Sequence, residues 1–241
     1  MIGNKMQLSK KIIVALDVDT REKAISLITE LKEAETFKVG LKLFTSEGPS
    51  FVKEILNLEK KIFLDLKLHD IPNIVAETVR VAVRMGVNML TLHASGGREM
   101  MARASEEAAL EAEKRNEVKP ILLAVTVLTS LKNDNLKEIG FKANTIDQVL
   151  RLSQMAYDTH MDGIVCSPHE IEIIKKEFGN NLLVVTPGIR PSWTAQHDQK
   201  RVMTPSLALK KGADYLVIGR PIIEASSPEK AFLKIAEELF R

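Results

Sequence analysis

The chain has 241 residues, of which 45% are hydrophobic and 27% are charged, as in ordinary globular proteins. Its net charge is +2 without a basic block, so neither nucleic acid nor an acidic membrane surface is indicated as a partner. One cysteine excludes an intrachain disulfide and favours a reducing compartment. Since no apolar segment has the length of a signal-peptide core or a membrane span, we expect a cytoplasmic protein.

Eight short apolar segments recur along the chain, each rich in Val, Ile and Leu and each of strand length. Their continuous apolar character predicts burial on both faces, as in a parallel sheet. The predicted strands are residues 12–17, 37–41, 61–66, 87–93, 121–127, 163–167, 182–188 and 215–219.

Segments with helical periodicity lie between these strands. Residues 97–115 are rich in helix formers, and the segments beginning at Ser167 and Ser227 open with Ser-Pro, which is favoured where helices begin. Strand and helix alternate eight times, which predicts an α/β fold with a parallel sheet. The first helix shows one apolar stripe, formed by Ala24, Leu27, Ile28 and Leu31.

Eight repeats in this length favour a closed (β/α)8 barrel, the TIM barrel, over an open doubly wound sheet. We therefore treat residues 1–241 as a single (β/α)8-barrel domain, with residues 1–10 as an N-terminal extension. Polar or turn residues lie at the carboxyl ends of most strands, where barrel active sites lie, whereas open sheets bind near one switch point. The residues expected at this mouth are Asp17, Asp65, Thr126, Pro187 and Gly219.

Two polar segments interrupt the pattern of strands and helices. Residues 129–144 are polar and irregular, and we expect a loop there. Residues 190–200 have a similar composition and follow the seventh strand, so we interpret them as a candidate lid over the mouth.

The segment FLDLKLHDIPN, residues 63–73, carries the most informative charges. Asp65 and Lys67 are two residues apart on a strand and therefore share a face. Lys38 lies within the preceding apolar strand, where a charge is costly unless it is paired. Asp70 follows in the next loop. These charges are either a catalytic group or a structural ion-pair network at the barrel mouth, because both arrangements perturb pKa values.

The segment DLKLHDIPN resembles the Asp-x-Lys-x-x-Asp-Ile-Pro signature of the orotidine 5′-phosphate decarboxylase family. Further similar segments follow in family order from Ile12 to Pro221. They are ALD, KVG at Lys38, HASGG (93–97), AVTVLTS (124–130), VTPGIR (185–190), DQKR (198–201) and VIGRP (217–221). The first motif is shared with related sugar-phosphate barrels, but the combination is specific.

The resemblance implies decarboxylation of orotidine 5′-phosphate to UMP without a metal or cofactor. It implies that Lys67 stabilises a carbanion at pyrimidine carbon 6 and protonates it, since an ammonium can do both. Lys38 and Asp65 would hold Lys67 in place, and Lys38 would also reach the ribose. Asp70 would come from the partner subunit, which implies a homodimer with shared sites.

The resemblance also implies substrate contacts at further positions, some of which could equally have a purely structural role. Asp17 matches a ribose ligand, but before TREKA it is equally suited to cap a helix. Gly219 and Arg220 match a phosphate site, which agrees with the recurrent barrel phosphate site after the eighth strand. The further implied substrate-binding positions are Ile71, Ile74, Thr129, Pro187, Arg190 and Gln199.

Ile74 departs from the family pattern, which usually has Thr two residues after the Pro. Isoleucine cannot donate the hydrogen bond expected near the ribose of the neighbouring site, a loss of roughly 0.5–1.5 kcal/mol if nothing compensates. We expect weaker ribose binding or a rearranged contact, and no loss of activity.

Several other residues are interpreted as structural. The five histidines lack metal-ligand spacing, and His93 is expected to make structural hydrogen bonds although it ends a strand near the mouth. Cys166 is expected to be a buried inert thiol. Two other functions remain open, a magnesium-dependent sugar-phosphate barrel and a nucleotide-binding scaffold without activity. Metal dependence would distinguish the first, and nucleotide binding without turnover the second.

Overall fold

The computed structural model describes residues 8–194 and 203–239. Eight parallel strands pair in chain order, and β8 returns to β1 to close a barrel, as predicted. The strands are β1 (Ile12–Ala15), β2 (Thr36–Gly40), β3 (Lys61–Leu68), β4 (Met89–His93), β5 (Ile121–Val125), β6 (Gly163–Val165), β7 (Leu183–Thr186) and β8 (Tyr215–Ile218).

Helices connect successive strands and run back along the outside of the barrel. They are α1 (Arg21–Glu30), α2 (Leu41–Asn57), α3 (Pro72–Met85), α4 (Arg98–Arg115), α5 (Asn133–Glu138), α6 (Thr145–Asp158), α7 (Ile171–Phe178), α8 (Pro205–Lys210), α9 (Arg220–Ile223) and α10 (Pro228–Glu238). None of the described helices is long and apolar enough to cross a membrane.

Alternation along each strand divides the core into two layers, because successive side chains point to opposite faces. One layer fills the barrel interior, where Phe63 packs beside Ile13, Leu123 and Val217. The larger layer lies between barrel and helices and contains the leucines of β3 that alternate with Phe63. The predicted apolar stripe of α1 and the methionines of α4 are buried in this outer layer.

One prediction for the connecting segments was wrong. Residues 129–144 were expected to be a loop, but α5 lies within them. A single buried side chain, Leu136, anchors this short helix, and Asn135 bonds back to the backbone N–H of Lys132 at 3.1 Å. So short a helix carries little apolar periodicity, which is why the pattern of the sequence did not reveal it.

The barrel extends through nearly all of the described residues. Assignment of residues 1–241 to one domain, with residues 1–10 as an extension, stays a prediction, because residues 1–7 lie outside the described part. Most of the candidate lid, including Gln199, also lies outside it.

Candidate active site

The carboxyl ends of the strands surround a cavity of about 260 Å³. Its apolar wall comes from the barrel interior and includes Phe63, Val125 and Val217, while its polar groups come from the strand ends and loops above. The structure therefore brings together most of the predicted site residues. Those that line the cavity are Asp17, Lys38, Asp65, Lys67, Thr129, Pro187, Arg190, Gly219 and Arg220.

Three charges form a continuous chain on the β2–β3 side of the cavity. The Lys67 Nζ lies 2.9 Å from both carboxylate oxygens of Asp65, and the Lys38 Nζ lies 3.5 Å from Asp65 Oδ2. The predicted common face of Asp65 and Lys67 is thus confirmed. Both the Asp65 and the Lys38 side chains are nearly buried, whereas Lys67 is about one-third exposed toward the cavity.

The environment of Asp65 favours its carboxylate form. Burial acts to raise the pKa of Asp65, but the charges of Lys38 and Lys67 and hydrogen bonds from Lys67 and Thr91 outweigh it and lower the pKa below the ordinary value. Asp65 is therefore an anion at neutral pH. It neutralises part of the positive charge that Lys38 and Lys67 bring into the cavity.

The backbone of β3 is irregular where Lys67 leaves the strand. Lys67 has a φ of +51°, which is uncommon for a residue with a side chain. The pairing of β3 with β4 is also irregular here, because the register shifts between Leu64 and Leu68. This irregularity is a β-bulge, and it turns the Lys67 side chain toward the carboxylate of Asp65, two residues earlier in the chain.

Thr91 belongs to this site, although the sequence did not identify it. Its Oγ1 accepts a hydrogen bond from the Lys67 backbone N–H and donates one to Asp65 Oδ1, both at 2.9 Å. In the sequence Thr91 is one polar residue within an apolar strand. The signal that could have found it is its position, opposite the DLK segment on the neighbouring strand.

Asp17 lies beside Lys38 and does not cap the following helix. Its Oδ1 is 3.1 Å from the Lys38 Nζ, and its side chain is exposed to the mouth. The N-cap of α1 is Thr20, whose side chain accepts a hydrogen bond from the Lys23 backbone N–H. The Asp17 carboxylate therefore lines the cavity.

The opposite side of the cavity carries two arginines. Arg220 begins α9 directly after β8, and the almost fully buried Arg190 follows β7. Gly219 packs closely on β1, because a Cβ at this position would lie 3.3 Å from the Ala15 Cβ. Two arginines that line one cavity beside a close backbone approach are suited to bind a phosphate.

Asp70, Ile71 and Ile74 are not among the described residues that line the mouth cavity. Asp70 is exposed, and its Oδ1 accepts a hydrogen bond from the Ile71 backbone N–H at 2.7 Å. Ile71 and Ile74 are 64% and 47% exposed, which is unusual for isoleucine. Within one subunit, the charge series formed by Lys38, Asp65 and Lys67 thus ends at Lys67 and does not include Asp70.

His93 and Cys166 are close to the site. The His93 ring lies 5.5 Å from the His69 ring, and burial, then the charges of His69 and Lys67, lower the pKa of His93. Cys166 lies in the cavity wall but is fully buried, and burial raises the pKa of its thiol well above the ordinary value. The thiol is therefore protonated at neutral pH, in agreement with the inert thiol expected from the sequence.

The chain is similar to known proteins over nearly its whole length. The model of the orotidine 5′-phosphate decarboxylase / HUMPS family matches residues 10–235. A relative from Syntrophomonas wolfei, named orotidine 5′-phosphate decarboxylase, is 49% identical over 97% of this chain and 99% of its own length. One from Carboxydothermus hydrogenoformans with the same name is 46% identical over 96% of this chain and 97% of its own.

A solved structure extends this similarity to the fold. The crystal structure of orotidine 5′-phosphate decarboxylase from Lactobacillus acidophilus superposes with a TM-score of 0.86 at 36% identity, and covers 96% of this chain and 100% of its own. The barrel and the order of its strands are therefore those of proteins with this name.

Proposed function

The chain belongs to the orotidine 5′-phosphate decarboxylase / HUMPS family, and we propose that it converts orotidine 5′-phosphate to UMP and carbon dioxide in pyrimidine biosynthesis. The relatives that are nearly half identical over their full lengths carry the decarboxylase name. The observation that carries the mechanism is the Lys67 ammonium, which is held by Asp65 at the edge of the mouth cavity.

Lys67 has the chemistry that this reaction requires. Loss of carbon dioxide from carbon 6 leaves an electron pair on that carbon, and the pyrimidine ring offers no position that delocalises it. A nearby ammonium stabilises the developing anion electrostatically and then transfers a proton to the carbon. The carbon–carbon bond electrons thus end in a new C–H bond, and Lys67 regains its proton from solvent.

Asp65 and Lys38 prepare Lys67 for this role. Asp65 accepts hydrogen bonds from the ammonium through both carboxylate oxygens and so fixes its position. Lys38 bridges Asp65 and Asp17 and so lies between the reactive group and the ribose end of the cavity. The same carboxylate of Asp65 would lie close to the departing carboxylate of the substrate.

The order of these groups around the barrel matches the order of groups in the substrate. Arg220 follows β8, Asp17 follows β1, Lys38 lies on β2 and Lys67 on β3, and these four strands are neighbours in that order. Phosphate, ribose and pyrimidine are connected in the same order in orotidine 5′-phosphate. We therefore place the phosphate at Arg190 and Arg220, the ribose at Asp17 and Lys38, and carbon 6 at Lys67.

The remaining substrate contacts follow from this orientation. Thr129 and Pro187 line the cavity on the β5 and β7 sides, where they would contact the pyrimidine. Gln199, which lies outside the described residues, is proposed to reach the phosphate end from the lid.

A homodimer would complete the site. A side cavity of about 270 Å³ adjoins the charge series and is lined by Gly40 and the exposed Leu41 in addition to Asp17, Lys38, Asp65 and Lys67. We propose that the partner subunit places its Asp70 beside Lys67 here, with its Ile71 and Ile74 against this apolar rim. The exposure of both isoleucines in one subunit supports this arrangement.

Ile74 gives a test of the ribose contact across this interface. Ile74→Thr introduces the hydroxyl usual in the family, and we expect KM for orotidine 5′-phosphate to fall about two- to tenfold with kcat nearly unchanged. Steady-state kinetics measure this, with Ile74→Val as the control that shortens the side chain without adding a hydroxyl. An unchanged KM in the Thr variant would mean that the ribose contact has been rearranged.

The assigned reaction is tested by following the loss of orotidine 5′-phosphate absorbance with purified protein, with and without EDTA. We expect rapid conversion to UMP at the same rate in both, because no step above uses a metal or a cofactor. Activity that needs added magnesium, or tight UMP binding with no turnover, would contradict the proposal.

A cytoplasmic location is proposed from the reducing environment that one unpaired cysteine favours.

A further inference from the structure

Thr91 lies in the middle of β4 and is fully buried. Its strand neighbours Leu90 and Leu92 pack in the outer core, so alternation turns Thr91 toward the barrel interior and β3. A buried hydroxyl needs hydrogen-bond partners, and both partners of Thr91 belong to the reactive group.

The pairing of β3 with β4 explains why a side chain is needed here. Leu64 pairs with Leu90 and Leu68 with Leu92, so four steps along β3 match two steps along β4. The three residues between these pairs on β3, Asp65 to Lys67, therefore lie opposite one residue of β4, Thr91. The backbone of one residue cannot form hydrogen bonds with all three, and the Thr91 hydroxyl accepts a hydrogen bond from the Lys67 backbone N–H at 2.9 Å.

The hydroxyl group also has a fixed direction. A threonine hydroxyl has one hydrogen to donate, and Asp65 as an anion only accepts, so the hydrogen bond of 2.9 Å between them runs from Thr91 to Asp65 Oδ1. The Thr91 Oγ1 also accepts a hydrogen bond from the backbone N–H of Lys67. One side chain thus fixes both the left-handed backbone of Lys67 and the rotamer of its carboxylate partner.

We infer that Thr91 is a positioning residue for the decarboxylation, which aims Asp65 and Lys67 without touching the substrate. This inference rests on the proposed function. It identifies the side chain that keeps Lys67 at φ +51°, a conformation that would otherwise relax into the extended strand.

The test is Thr91→Val, which keeps the β-branched shape and removes both hydrogen bonds. We expect kcat to fall about 10- to 100-fold with KM within about threefold, because the reacting group is displaced and the phosphate and ribose contacts are kept. Loss of the hydrogen bond raises the pKa of Asp65, so the acid limb of the kcat profile should move to higher pH.

Two further variants separate positioning from packing. Thr91→Ser retains the hydroxyl and should keep kcat within about threefold of wild type. The matched control is Thr186→Val, which removes another buried strand hydroxyl, one that contacts the carbonyl oxygens of Cys166 at 3.0 Å and Pro187 at 3.2 Å. It should leave the acid limb in place. A tenfold loss in Thr91→Ser would contradict the inference even if Thr91→Val did not fold.

A crystal structure of Thr91→Val gives a readout that does not depend on turnover. We expect the Lys67 backbone to leave the left-handed region and its ammonium to withdraw from Asp65. If both stay as in wild type, Thr91 does not position them, whatever the activity. Absence of turnover in the wild-type protein would instead refute the proposed function alone.

Discussion

Lys67 differs from an ordinary strand lysine in its backbone conformation and in its surroundings. It has an uncommon backbone conformation, and its ammonium is hydrogen-bonded to an anion while one-third exposed to a cavity. Backbone strain of this kind costs of order 1–3 kcal/mol and persists only where surrounding contacts enforce it. The hydrogen bonds that Lys67 donates to Asp65 and to the Thr91 hydroxyl provide those contacts, which supports the proposed reactive role over a structural ion pair.

Replacing Lys67 by alanine should remove both charge stabilisation and the proton donor. We expect Lys67→Ala to reduce kcat at least about 1,000-fold while the fold is retained. Kinetics with circular dichroism measure this. Lys61→Ala is the matched control, because Lys61 begins the same strand at the opposite end of the barrel and is exposed. Near-normal turnover by Lys67→Ala would overturn the assigned role.

The imidazole of His93 gives a pH-dependent prediction for stability. Burial, followed by His69 and Lys67, lowers its pKa below the ordinary 6.5, so unfolding is accompanied by proton uptake in the window just below that value. His93 therefore does not reduce the stability of the fold above that window. As pH falls from 6.5 toward the pKa of His93 in the folded protein, His93 destabilises the fold by an increasing amount. We expect the free energy of unfolding to decrease across this window.

Urea unfolding at about pH 7.5 and about pH 5.5 measures the His93 contribution. His93→Gln should lose less stability between these two values than wild type does. His169→Gln, which alters an exposed histidine elsewhere, should behave as wild type. Equal losses in His93→Gln and wild type would show that His93 is not the group that takes up the proton.

The connections after β7 and β8 bring two arginines to one side of the mouth, although thirty residues separate them in the sequence. The barrel places the two loops together because β7 and β8 are neighbours, and in the proposed function both loops contribute to the phosphate site. In the proposed function, the roles around the mouth therefore follow strand order, with phosphate binding after the last two strands and the chemistry at β3.

Arg220→Ala tests this division of roles. Removing a charge-assisted pair should raise KM for orotidine 5′-phosphate about 10- to 100-fold. The effect should disappear with orotidine, which lacks the phosphate, and kinetics with both substrates measure the difference. Arg115→Ala, at the far end of α4, is the control for loss of a surface arginine. Equal effects on both substrates would place the Arg220 contact elsewhere.

In the proposed function, dimer formation determines whether the carboxylate of Asp70 reaches the site. Asp70 is exposed in a single chain, and the proposed dimer places it beside the partner subunit's Lys67. In mixed dimers of Lys67→Ala and Asp70→Ala, one of the two sites contains neither substitution. Mixing equal amounts of the two inactive variants should therefore restore about a quarter of wild-type activity.

Mixing Lys67→Ala with the double variant Lys67→Ala/Asp70→Ala is the control, since none of its dimers contains an intact site. Subunit exchange is verified with differently tagged chains. Proven exchange without recovery of activity would mean that Asp70 does not act across the interface.

Most of the barrel was predictable because its determinants are local. Apolar strand segments, helical stripes and strand-end polar residues each follow from periodicity within ten or twenty residues, and they predicted eight strands and one mouth. Strand alternation also predicted the common face of Asp65 and Lys67, although in the structure a bulge turns Lys67 onto Asp65. The short helix α5 was missed because it buries a single apolar side chain.

The sequence by itself determined the alternation of strands and helices, the strand ends that meet at the mouth, and the motif of Asp65 and Lys67. Only the tertiary structure decided that Thr91 bonds both of them, that Thr20 and not Asp17 caps α1, and that Asp70 lies outside the cavity of its own chain. Local periodicity specifies which face a residue takes. Partners across a bulged strand pair depend on register and on the exact backbone of Lys67, which long-range packing sets.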